Sequence, residues 1–137
     1  FSLKGWQILL LGSPNDIPVG EEIEQNLNPN NSVLNLVGKT SLVDAVDILS
    51  VPQVVLSNDS GLMHVTAALN TKLLVLYGPS SPDFTPPLSD NSVIIRKGEG
   101  YSRVRKGLGP DGYHQSLLDI QSSEIIERLH SMTNSQI

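Results

Sequence analysis

Gln53-Val54-Val55-Leu56-Ser57-Asn58-Asp59-Ser60-Gly61-Leu62-Met63-His64 is the stretch that decides the fold. A short apolar run, Gln53 to Leu56, is bounded by turn residues and reads as a buried strand. Small polar residues follow, and a helix is expected from Leu62 to Leu69, with Asn70 able to close it. Asn58 and Asp59 are the candidate caps. The backbone N–H groups of Ser60, Gly61 and Leu62 then aim at the strand end. Free donors at the positive end of a helix dipole favour a phosphate or diphosphate. Gly61 lets a ligand come close to the backbone. His64, one turn further on, can add a donor. Asp59 is unsuited to phosphate but can accept hydrogen bonds from sugar hydroxyls. The competing reading is a capped helix with a packed histidine.

Working outward, strands and helices alternate. Trp6 to Leu11 is a continuous apolar run, as in a strand buried on both faces. Pro18 opens a helix that continues from Val19 to Leu27, and Val33 to Val37 is a second strand. Ser41 and Asp44 resemble a capping box in front of Leu42 to Leu49, where Leu42, Ala45, Val46 and Leu49 share one apolar face. Lys72 to Tyr77 and Ser92 to Arg96 are further strands, Ser122 to Met132 is a final helix, and the last five residues of the chain are expected to fray. Such alternation implies parallel strands with right-handed crossovers. The expected fold is α/β: a Rossmann-like, three-layer domain with a mainly parallel sheet, read as one domain over residues 1–137. Phe1 to Lys4 resembles a helix end stopped by Gly5, so the chain is expected to begin partway through a larger fold.

Ligands of such sheets bind at the carboxyl ends of the strands. Besides the Asn58 to His64 turn, three loops meet that description. Gly12 to Asp16 carries Asp16, an acid placed to accept from a ribose diol. Gly38 to Ser41 carries Thr40, which can line an adenine pocket or cap the next helix. Gly78 to Ser89 is fixed in shape by Pro79, Pro82, Pro86 and Pro87, which lowers the cost of ordering on binding. It offers the hydroxyls of Ser80, Ser81 and Thr85. Lys97 to Gln115 is a long Gly-rich loop, and its basic residues include Arg103 and Lys106. These two extend the candidate substrate loop; the competing reading is a solvated surface. Walker-type and Gly-x-Gly-x-x-Gly phosphate motifs are absent. Around Ser60, Asn58 and Leu62 replace the glycines of a hydrolase elbow. Ser60 and His64 are also too close on one helix to make a good nucleophile and base.

Composition narrows the classes. The net charge of −5 argues against general nucleic-acid binding. No run approaches the ~20 apolar residues of a membrane span, and the first residues lack the features of a signal peptide. The chain has no cysteine, which removes thiolate sites and suits a reducing compartment. Three dispersed histidines give no metal cluster, and no paired carboxylates flank the anion turn. Neither metal nor cofactor is expected.

Together, Gly38-Lys39-Thr40-Ser41-Leu42, Asn58-Asp59-Ser60-Gly61-Leu62-Met63-His64, Tyr77 to Leu88 and Gly112-Tyr113-His114-Gln115-Ser116-Leu117 resemble the heptosyltransferase family of bacterial glycosyltransferases. The resemblance implies the C-terminal, donor-binding half of a GT-B fold. The family transfers L-glycero-D-manno-heptose from ADP-heptose to the inner core of lipopolysaccharide. By this resemblance Asp59 contacts the heptose, and Ser60, Gly61 and Leu62 bind the diphosphate with His64 beside them. Thr40 falls at the adenine pocket and Asp16 on the ribose-binding acid. The catalytic aspartate base and the acceptor site fall in an N-terminal domain, so no catalytic residue is expected here and the chain alone is expected to be inactive. Partners implied are ADP-heptose and the lipopolysaccharide core, in the cytoplasm, with peripheral contact at the inner membrane. The competing function is a non-catalytic adenine-nucleotide-binding Rossmann module.

Overall fold

A computed structural model describes residues 5–28, 32–103, 107 and 112–134. The expected helix end at Phe1 to Lys4 lies outside them, as does Lys106. The chain divides into two compact units, residues 1–47 and 48–137.

In the first unit, β1 (Gln7–Leu10) leads through a 3-10 turn (Pro14–Asp16) into α1 (Ile17–Asn26) and β2 (Ser32–Asn35). β1 and β2 are parallel, with Ile8 opposite Val33. Gly20 in α1 lets the helix close on Val37: a Cβ there would stand 2.9 Å from the valine side chain. The WQILLL run predicts burial on both faces, but β1 alternates exposed and half-buried residues. Two four-residue strands and one ten-residue helix have too little surface to cover both faces of a ladder. α1 begins one residue ahead of Pro18, because the 3-10 turn delivers the chain directly into it.

α2 (Leu42–Leu49) has the expected bounds. Its capping box is formed: the Ser41 hydroxyl accepts from the Asp44 N–H at 3.1 Å, and Asp44 Oδ2 accepts from the Ser41 N–H at 2.9 Å. The Ser41 hydroxyl also donates to Asp44 at 2.7 Å, and these bonds hold the Asp44 carboxyl below its ordinary range.

The second unit holds β3 (Val55–Asn58), α3 (Gly61–Ala68), β4 (Leu73–Tyr77), β5 (Ser92–Arg96), α4 (Gln115–Leu118) and α5 (Ser122–Asn134). The strands form a parallel sheet in the order β3-β4-β5. β4 is central, and Leu73, Leu74 and Val75 are fully buried, which explains its unbroken apolar run. Met63 and Ala67 of α3 pack with Leu73, Val75 and Tyr77, and Val55 adds to the cluster. Asn70 closes α3 in the left-handed region, with φ 57°. α5 runs two residues past Met132, and Thr133 bonds the Leu129 carbonyl.

β3 is displaced from expectation. The apolar run predicts Gln53 to Leu56, whereas the ladder runs from Val55 opposite Leu73 to Asn58 opposite Leu76. Pairing with β4 fixes the strand, and it carries the polar residues Ser57 and Asn58 to the strand's carboxyl end. α4 was not legible as a helix in the Gly-rich sequence before it. It is capped by His114, whose Nδ1 accepts from the Ser116 N–H at 3.3 Å.

Gly78, directly after β4, is required by a close approach. A Cβ at this position would lie 2.6 Å from Leu117 Cγ. Gly78→Ala is expected to destabilise the chain by about 1–3 kcal/mol through overpacking, measured as a lowered urea midpoint with unchanged slope.

Candidate functional site

The residues of the third-strand turn stand at the carboxyl end of β3, where ligands of parallel sheets bind. The cap of α3 is Ser60, with extended backbone (φ −151°, ψ 170°), rather than Asn58 or Asp59. The two-residue displacement of β3 draws both of those residues back toward the strand. The Ser60 side chain makes no capping bond; its hydroxyl lies 3.4 Å from that of Ser57. The N–H groups of the first turn therefore keep the donors that an anion would take. Gly61 opens the helix, and a Cβ built on it meets nothing within 4 Å. The backbone here faces open space. Leu62 is half-buried and His64 exposed.

Asp59 is half-buried and meets the proline loop: the Thr85 hydroxyl donates to its Oδ2 at 3.2 Å. The loop is built to hold Thr85 there. The Ser81 carbonyl accepts from the N–H groups of Phe84 (3.1 Å) and Thr85 (3.2 Å). Ser80 and Ser81 are buried, and the Ser81 hydroxyl lies 3.2 Å from both the Asp83 carboxylate and the Asp83 N–H. These two serines shape the loop from inside, while Thr85 is exposed. Beneath them Tyr77, fully buried at the end of β4, donates its phenolic O–H to the Thr85 carbonyl. Burial, and secondarily the charge of Asp59, push the Tyr77 phenol up, which keeps it a donor.

Asp16 and Thr40 belong to the first unit. Asp16 closes the 3-10 turn after β1: its Oδ2 accepts from the Ser13 hydroxyl at 2.6 Å and the Ser13 N–H at 2.8 Å. Both bonds hold its carboxyl below the ordinary range, so it is ionised at neutral pH. Thr40 is half-buried between the Gly38 turn and α2. Ser41 takes the capping role that was the alternative for Thr40. Arg103 is exposed. Among the described residues no group of histidines and acids could hold a metal ion.

Sequence reasoning missed Tyr77 as the anchor of the site. It sits in an apolar strand, and nothing local marks its hydroxyl as the support of a residue eight positions on. It also missed the edge-to-face pair of Phe84 and Tyr101, with ring centroids 5.1 Å apart.

Residues 1–109 match the model of glycosyltransferase family 9 (heptosyltransferase). The chain is 47% identical over 135 residues to lipopolysaccharide heptosyltransferase 2 of Salmonella typhimurium, covering 97% of this chain and 39% of the relative. It is 49% identical over 132 residues to lipooligosaccharide heptosyltransferase 2 of Haemophilus influenzae, covering 94% of this chain and 38% of the relative. The chain thus spans well under half the length of these relatives. Among solved structures, ADP-heptose lipopolysaccharide heptosyltransferase II of Escherichia coli superposes with a TM-score of 0.85 at 43% identity, over 96% of this chain and 38% of the other. The family 9 glycosyl transferase of Veillonella parvula superposes with a TM-score of 0.82 at 21% identity, over the same shares. The latter shows the shared fold. The α/β architecture with parallel strands agrees with both.

Proposed function

This chain belongs to glycosyltransferase family 9, and from that premise we propose that it forms the donor-binding half of an enzyme that transfers heptose from ADP-L-glycero-D-manno-heptose to the lipopolysaccharide inner core. The observation that carries this is the junction of Asp59 with Thr85 beside the glycine-opened start of α3, where the Ser60 cap makes no side-chain bond. A carboxylate for sugar hydroxyls and free N–H donors for a diphosphate lie within three residues of each other. The names of the relatives supply the sugar and the acceptor.

In this proposal the diphosphate sits over Ser60, Gly61 and Leu62, with His64 beside it, and the heptose lies against Asp59. Asp16 receives the ribose and Thr40 lines the adenine. Thr85 fixes the Asp59 carboxylate. Ser80 and Ser81 hold the loop that presents Thr85, and Arg103 stands in the loop that faces the acceptor. Lys106, assigned to that same loop, lies outside the described residues. An acceptor hydroxyl attacks the anomeric carbon and loses its proton to a base in the other half of the fold. The bond from the anomeric carbon to the diphosphate oxygen breaks, and ADP leaves with the electron pair. Backbone donors of α3 then stabilise charge that grows on the diphosphate as the reaction proceeds. The protein works in the cytoplasm with peripheral contact at the inner membrane; no described helix is long and apolar enough to cross a membrane.

Asp59→Ala separates the two ligand parts. In a protein where the upstream half of the family fold precedes this chain, calorimetric titration is expected to show about tenfold weaker ADP-heptose binding (about 1.4 kcal/mol) with ADP nearly unchanged. Equal affinity of wild type and variant for ADP-heptose would remove Asp59 from the sugar site.

A further inference from the structure

A second cleft lies at the carboxyl ends of β4 and β5, and the proposed donor site does not use it. Pro79, Arg96, Glu99, Tyr101, Ser102 and His114 are among the residues that line it. Its walls are fixed to the proline loop, since the Ser102 N–H donates to the Pro79 carbonyl at 2.9 Å. We propose that this cleft binds the phosphate of a phosphorylated sugar.

Arg96 ends β5, in register with Tyr77. Its guanidinium donates to the Gly100 carbonyl, while its Nε is shut off from solvent without an acceptor. Among the described residues it has no carboxylate partner; the described ion pair joins its neighbour Lys97 to Glu124 at 2.7 Å. A guanidinium has five N–H donors and a permanent charge. Half-buried and without a carboxylate partner, the guanidinium carries an uncompensated charge that an oxyanion in the cleft offsets, bonding through the terminal N–H groups because Nε is closed off.

His114 adds a second donor. Its Nδ1 accepts from the Ser116 N–H at 3.3 Å and lies 2.7 Å from the Ser116 hydroxyl. With Nδ1 accepting from the main chain, the ring proton of the neutral imidazole sits on Nε2. The sugar is indicated by the rest of the lining. Tyr101 stands edge-to-face with Phe84, and the two rings are 49% and 71% exposed. Two adjacent exposed rings at the edge of a polar cleft are an unusual surface; they offer faces on which the C–H side of a pyranose stacks. Glu99 in the same cleft can accept from sugar hydroxyls. Phe84 adjoins Thr85, so the cleft neighbours the Asp59 junction across the loop. The cleft's geometry does not depend on the proposed transferase function.

The test is 15N NMR and calorimetry on the chain itself, with mannose 6-phosphate, inorganic phosphate and mannose as probes. Mannose 6-phosphate is expected to shift the amides of Gly98, Ser102 and Ser116 and leave Gly61 unmoved. Arg96→Gln should weaken it about tenfold or more. Phe84→Ala should weaken mannose 6-phosphate about threefold and leave inorganic phosphate unchanged. Absence of these shifts, or equal binding by Arg96→Gln, overturns the site. Inorganic phosphate binding as tightly as mannose 6-phosphate overturns the sugar assignment. If Arg96→Gln fails to fold, the wild-type shift map and Phe84→Ala decide. Failure of the donor reading shows separately, as an absence of ADP-induced shifts at Ser60 to Leu62 in the protein with the upstream half present.

Discussion

Gly61→Val is expected to abolish ADP binding while leaving the fold intact. A Cβ at this position meets nothing within 4 Å, so a side chain enters on an open face of the helix end. The glycine has no positive φ to preserve, and it stands at the exposed first position of α3. The isopropyl group then stands where a ligand would lie on the helix end. Loss of contact with several N–H donors together is expected to cost about 3 kcal/mol or more, roughly a hundredfold in Kd or beyond. Thermal unfolding checks the fold and ADP titration checks the site, both on the protein with the upstream half present. An unchanged Kd would place the diphosphate elsewhere. Gly61→Ala provides an intermediate: the stability of a helix-compatible residue with a smaller obstruction to the ligand.

Leu73→Ala is expected to have the largest effect on stability. Leu73 is fully buried in the central strand and packs in the cluster of Met63, Ala67, Val75 and Tyr77. Leucine-to-alanine changes at such sites cost about 2–5 kcal/mol, set by how far the cavity collapses. That is a large share of the ~5–15 kcal/mol that stabilises an ordinary domain. Denaturant unfolding followed by circular dichroism measures it directly. The effect should reach the candidate site, because β4 carries Tyr77, Tyr77 holds the Thr85 carbonyl, and Thr85 bonds Asp59. A loss below about 1 kcal/mol would show that β4 is not the centre of the core.

The contrast between these two positions reflects two uses of the same parallel architecture. Gly61 has space because the strand ends and a helix begins; Leu73 has none because it lies between layers. The Gly78→Ala prediction falls between them, since Gly78 leaves β4 at the ligand edge yet packs against Leu117.

Much of this was determined by the sequence alone. The alternation of apolar runs with amphipathic segments dictated parallel strands, and the bounds of α2 and β5 followed from local signals: a capping box with an apolar face, and a strand run closed by basic residues and glycine. The small polar residues after Leu56 marked a strand-to-helix passage, although the strand itself carries Ser57 and Asn58. Local chemistry was enough for these features because they depend on neighbours within a turn or two.

Only the tertiary structure decided the rest. Pairing with β4, through bonds to residues about eighteen positions away, moved β3 to Val55–Asn58 and made Ser60 the cap. The meeting of Asp59 with Thr85 spans 26 residues, and the support from Tyr77 comes from an apolar strand where a hydroxyl carries no local signature. The Arg96 cleft gathers residues from after β4, after β5 and before α4. Contacts of that range are set by how strands register and helices pack, and the free energy that selects them belongs to the assembled core rather than to any short stretch of chain.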